Sequence, residues 1–191
     1  MKKMLHVFQY NAPVTLTFSL ISLCALWLSH FLGQEVMLNY FSLYRTSWTD
    51  PMQYLRLFTY VLGHANYSHF INNITVILLI GPMLEEKYGN KTMVGLIIFT
   101  ALVTGLIHVF FFPDTALLGA SGIAFMMILL CSFANAQKGR LPITFLLVAV
   151  IFLGGEINTG LTTTDNISQL GHIIGGVCGG LAGLVITARR A

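Results

Sequence analysis

Six side chains in this sequence stand out as able to do chemistry together. They are His64, His69, Asn72 and Asn73 in one neighbourhood, Ser121 within Gly119-Ala120-Ser121-Gly122, and His172 far downstream. A serine hydroxyl becomes a nucleophile when a neighbouring base takes its proton, and imidazole is the usual base. Attack on a carbonyl then creates an oxyanion that needs donors. The Ser121 backbone amide at a helix start, the Asn73 side chain and His69 are candidates for that role. The set reads as a hydrolytic dyad, Ser121 with His172, because no aspartate or glutamate is expected beside the histidine. It calls for no cofactor or metal: there is no HExxH motif, and no pair of aspartates is expected to be buried.

The surrounding composition says where such a site would sit. The 191 residues are 55% hydrophobic and 9% charged, whereas a soluble domain is about one quarter charged. The net charge of +3 comes from basic residues that punctuate apolar runs and form no single patch, so a nucleic-acid partner is not expected. Cys24, Cys131 and Cys178 are too widely spaced for a zinc ribbon or a redox CxxC and predict no disulfide. Apolar runs at about 13–32, 69–86, 92–112, 121–136, 141–154 and 169–188 predict six transmembrane helices, since lipid offers backbone amides no partner. The stretch 33–63 mixes Glu35, Arg45, Asp50 and Arg56 with Tyr40, Tyr44, Trp48 and Tyr54, which predicts a long interfacial first loop.

Basic residues set the orientation. With the N-terminus inside, Lys2, Lys3, Lys87, Lys91, Lys138, Arg140, Arg189 and Arg190 all fall on the cytoplasmic side, leaving only Arg45 and Arg56 outside. Both termini are therefore expected in the cytoplasm. Ser121 lies 17 residues before Lys138 and His172 lies 17 before Arg189, which puts each about 25 Å above the inner face at 1.5 Å per residue. His69 and Asn73, 18 and 14 residues before Lys87, bracket the same level. Polar groups inside a membrane are expensive and mark function.

Gly171, Gly175, Gly179 and Gly183 recur every fourth residue in the sixth span. Such a stripe admits a close neighbour. If that neighbour is the fourth span, with Gly122 and Ala124 near its start, Ser121 and His172 come within reach of each other. His108 is read as interfacial, Arg56 as a lipid-phosphate contact, and Glu85 with Glu86 as capping or pairing near Lys87. Glu156 to Ser168 is read as a polar loop capping the site, with a short fifth helix as a side gate.

These motifs, in this order, resemble the bacterial rhomboid proteases of the GlpG type in their minimal six-helix form. The family pattern on the second span is met by His64, His69 and Asn73, that on the fourth by Gly119 to Gly122, and that on the sixth by His172 and Gly175. The resemblance implies an all-α, six-helix membrane bundle forming one domain over 1–191, and an intramembrane serine endopeptidase. It implies Ser121 as nucleophile, His172 as general base, and His69, Asn73 and the Ser121 amide as the oxyanion site. Phe125 stands where the family packs an aromatic on the catalytic histidine; Arg56 is kept from a Trp-Arg pair in which Leu55 replaces the Trp. The implied substrates are single-pass membrane proteins cut near the outer end of their helix at a small residue, and the implied location is the bacterial inner membrane. The rival readings are an inactive relative that binds membrane proteins without cutting, a small transporter and, with His69 and His172 as axial ligands, a haem protein. The oligomeric state is not legible.

Overall fold

The computed structural model describes residues 9–138, 140–162 and 167–189. Among the described residues eight α-helices follow in chain order: α1 Pro13–Leu32, α2 Gln34–Phe41, α3 Pro51–Thr59, α4 Tyr67–Tyr88, α5 Asn90–Phe111, α6 Ser121–Cys131, α7 Ile143–Thr162 and α8 Ile167–Arg189. A single 3-10 turn, Tyr60–Leu62, follows α3. The fold is an all-α bundle. α1, α4, α5 and the Gln169–Arg189 part of α8 are long and apolar enough to cross a membrane, and the apolar stretches Ser121–Cys131 and Ile143–Glu156 are shorter. Phe31, Leu79, Phe111, Ile143 and Val150 are all more than 70% exposed. Apolar exposure on that scale suits lipid, and the chain is an integral membrane protein.

Three boundaries differ from expectation. The long first loop contains two helices, α2 and α3, and the second is opened by local chemistry. α3 starts at Asp50, which accepts the Met52 amide at 2.9 Å and is followed by Pro51 at the first helical position. α6 ends at Cys131 and gives way to turns, so it is 11 residues long, about 16 Å, and cannot alone cross a hydrocarbon core of about 30 Å. The helical depth count from Lys138 therefore holds for only part of that segment. α7 runs to Thr162, so the helix continues past 154 and Glu156 lies inside it. The segments 156–162 and 167–168 are helix, not loop; the rest of the proposed cap, 163–166, lies outside the described residues.

α6 is the centre of the bundle, burying Ile123, Ala124, Met126, Met127, Leu129 and Leu130. Its closest neighbour is α8. A Cβ on Gly175 would collide with the Gly122 carbonyl oxygen, one on Gly179 with that of Met126, and one on Gly183 with the Phe133 ring. The glycine stripe is thus the seam along which the two backbones touch.

Two buried charges hold the frame around α6. Glu85, 3% exposed near the end of α4, accepts the amides of Val14 and Thr15 at 2.8 and 2.9 Å and the Thr15 hydroxyl at 2.8 Å. α1 has no side-chain cap of its own; the carboxylate supplies one from across the bundle and complements the helix dipole. Arg56, also 3% exposed, donates to the Tyr44 hydroxyl at 2.9 Å, to Thr46 at 3.1 Å and to Asp50 at 3.1 Å, with its guanidinium 4.3 Å from the Tyr44 ring centre. It braces the first loop and is not a lipid-phosphate contact. Leu55, one residue earlier, points outward and is 45% exposed.

Candidate active site

The chain leading into Ser121 is fixed by backbone bonds. Leu43 and Leu117 exchange amide hydrogen bonds at 2.8 Å, and the Gly119 amide donates to the Tyr60 carbonyl at 3.0 Å. These tie the first loop to the approach to α6. Gly119 then turns with φ +127°, a backbone region that L side chains rarely adopt. A Cβ there would also lie 2.8 Å from the His69 ring, so the glycine lets His69 sit directly against the turn. Ser121 opens α6 after Ala120. Its amide is one of the first four of the helix, which have no partner within it.

α4 supplies two further groups. Asn66 caps this helix by accepting the His69 amide at 2.9 Å, so the helix begins at Tyr67, earlier than the apolar run suggests. His69 and Asn73, four residues apart, then share one face. Asn73 is buried and its Nδ2 has no partner among the described residues; it lies 3.7 Å from where a Gly119 Cβ would be. Asn72 faces outward and is exposed, which separates the two asparagines. His64 is fully buried before α4, donates from Nδ1 to the Leu62 carbonyl at 3.2 Å, and packs edge-on against His69 and Phe70 with ring centres 5.1 and 5.3 Å away. Burial, with a smaller contribution from His69, holds its pKa down at about 4.

α8 presents His172 on the seam with α6. Phe125, one turn after Ser121, lies flat on its imidazole: the ring centres are 4.4 Å apart and the planes differ by 5°. His172 Nδ1 donates to Glu156 Oε2 of α7 at 2.8 Å, so a carboxylate does stand beside this histidine, contrary to the expected bare dyad. The acidic residue was not visible as a partner because α7 was expected to end before it. His172 is also within electrostatic range of His69. No hydrogen bond joins Ser121 to His172 among the described residues. Their segments nonetheless meet: a Gly122 Cβ would lie 3.3 Å from the Gly171 carbonyl oxygen, and Ser121 and Gly171 line one cavity of about 10 Å³. Thr100 and Thr104 of α5, whose hydroxyls are buried, also line it. That volume suits about one water molecule. The two threonines went unnoticed in the sequence because hydroxyls in an apolar run look like packing residues.

His108 has a different job, donating from Nε2 to the Thr115 carbonyl at 3.0 Å and stacking on Phe112. It anchors the loop after α5. Among the described residues no group of three or more His, Cys, Asp or Glu could hold a metal ion.

A profile of the Rhomboid domain family matches residues 51–189. Rhomboid-related protein 1 of Caenorhabditis elegans is 30% identical over 142 residues, which are 69% of this chain and 39% of that protein. RHOMBOID-like protein 7 of Arabidopsis thaliana is 27% identical over 134 residues, 67% of this chain and 41% of that protein. The Rhomboid protease GluP of Bacillus subtilis (strain 168) is 26% identical over 127 residues, 65% of this chain and 25% of that protein. The chain thus spans less than half the length of each of these relatives.

Proposed function

The chain belongs to the rhomboid family, and on that premise we propose that it is a serine endopeptidase that cuts membrane proteins within the bilayer. One observation carries the reading. Asn73 holds a buried amide donor that has no partner among the described residues, beside the turn that delivers Ser121, and such a donor is costly unless something is to bind it.

In the proposed reaction the Ser121 Oγ attacks the scissile carbonyl carbon while its proton passes to His172 Nε2. The C–O bond forms as the carbonyl π electrons move onto oxygen. Asn73, His69 and the Ser121 amide receive that oxyanion. Collapse breaks the C–N bond, and His172 returns the proton to the leaving amine. Water then attacks the acyl-enzyme with His172 again as base, releasing the new carboxyl end and restoring Ser121. Gly119, Gly122 and Gly175 permit the close approaches; His64 and Phe125 support the two histidines. Residues 1–191 act as one membrane domain with both termini cytoplasmic, in a bacterial inner membrane. The substrates are single-pass membrane proteins cut near the outer end of their helix.

The experiment is cleavage of a transmembrane reporter by wild type, Ser121→Ala and His172→Ala in liposomes. Each variant is expected to lose at least about 10³-fold in kcat. Equal cleavage by all three overturns the proposal. A second reading, a rhomboid-like protein that binds membrane proteins without cutting them, draws on the missing hydrogen bond between Ser121 and His172. Catalytic hydrogen bonds often tighten only with substrate in place, and labelling of Ser121 by a fluorophosphonate separates the two readings.

A further inference from the structure

We propose that Glu156 is a positioning residue for His172, so that this chain works with a serine, a histidine and a carboxylate where a dyad was expected. The inference rests on the reading of Ser121 and His172 as nucleophile and base.

The observation begins with cost. Glu156 is the single charged residue in the α7 sequence, a helix otherwise dominated by apolar side chains. A carboxylate at such a position is unfavourable unless paired. Its described partner is His172, 2.8 Å from Nδ1, and the two side chains are 21% and 19% exposed. Every other acidic side chain with a described partner is engaged elsewhere: Asp50 with Arg56, and Glu85 with the start of α1.

The pairing is also built into α7. Phe152 and Glu156 are four residues apart and share a helix face. Phe152 packs edge-on against Phe125 at 5.7 Å and 83°, while Phe125 lies flat on His172. Glu156 then closes the group from the next turn. One face of α7 therefore fixes both the plane of the imidazole, through Phe125, and its rotation within that plane, through Nδ1.

The chemical consequence follows from the two ring nitrogens. A carboxylate only accepts, so the contact places the proton of the neutral imidazole on Nδ1 and leaves the Nε2 lone pair for the serine proton. During attack that proton moves from Ser121 Oγ to Nε2. The Nδ1 proton stays where it is, and the Glu156 charge faces the imidazolium that has formed. The carboxylate itself is not protonated at any step.

The test measures reporter cleavage by full-length wild type, Glu156→Gln and Glu156→Ala in liposomes, together with 15N NMR of His172. Wild type is expected to carry its proton on Nδ1. Both variants are expected to lose about 10- to 100-fold in kcat with KM unchanged, a smaller loss than for a deeply buried triad carboxylate because Glu156 is partly exposed. They are also expected to show mixed tautomers. A residue that merely stabilised the fold would leave the tautomer alone. Wild-type His172 protonated on Nε2, or unchanged kcat in Glu156→Gln, overturns the inference. Should Glu156→Ala fail to fold, the wild-type tautomer and the near-isosteric Glu156→Gln still decide. If Ser121→Ala cleaves like wild type, the protease reading fails instead, and the proton position still reports on the contact.

Discussion

The imidazole of His172 and the ring of Phe125 are stacked almost parallel, 4.4 Å between centres. The two residues come from α8 and α6, the helices whose backbones touch along the glycine seam. An aromatic pair of this kind contributes about 0.5–1.5 kcal/mol beyond its buried area. Here it also removes one rotational freedom from the proposed base. Phe125→Ala is expected to lower kcat about tenfold or more, while Phe125→Tyr, which keeps the flat ring, stays within about threefold. Kinetics on the transmembrane reporter check this, and an unchanged Phe125→Ala refutes it.

Asn72 and Asn73 provide an internal control for the proposed oxyanion site. Asn73 is buried beside the Gly119 turn with a donor that has no partner among the described residues, and its neighbour faces outward. Removal of one oxyanion donor costs about 10²- to 10³-fold in kcat. Asn73→Ala should show that loss with KM little changed, whereas Asn72→Ala should remain within about twofold. Similar effects in both variants would remove Asn73 from the site.

The sequence disclosed the features that repeat or that are costly in lipid. The stripe from Gly171 to Gly183, the apolar runs and the polar groups at one level each leave a pattern that needs no coordinates. Features that depend on one side chain reaching another helix left none. Nothing in the apolar run at 141–154 signals that the helix continues through Gly154 and Gly155 to carry Glu156 onto His172. Asn66 escaped notice as the cap of α4 because the helix was read from its first apolar stretch, two residues too late. Glu85 was expected to cap or pair near Lys87, yet its partner, the start of α1, is 70 residues away in sequence.

The seam between α6 and α8 makes a stability prediction with a built-in contrast. A side chain at Gly175 meets the backbone oxygen of Gly122, which cannot swing aside. Overpacking costs about 1–3 kcal/mol when side chains can adjust, so Gly175→Val should cost at least about 3 kcal/mol and separate Ser121 from His172. Gly154 in α7 has open space where a Cβ would be. Gly154→Ala should therefore stabilise by about 0.5–1 kcal/mol through lower backbone entropy in the unfolded chain. Unfolding in mixed micelles measures both, and equal effects would contradict the packing.

His64 supplies a pH dependence with a definite sign. Burial, helped by His69, depresses its pKa from 6.5 to about 4 in the folded protein. Between those values the unfolded chain binds a proton that the folded chain refuses, so stability falls as pH drops through that window. The contribution of neutral His64 is fully present above about 6.5 and lost by about 4. At 1.36 kcal/mol per unit the limit is about 3 kcal/mol. His64→Phe keeps a ring against His69 and Phe70 and removes the titration. Its stability should vary less steeply from pH 6.5 to 4 than that of wild type, even if the lost bond to the Leu62 carbonyl lowers the plateau. Equal slopes for the two proteins would show that His64 does not titrate as its burial requires.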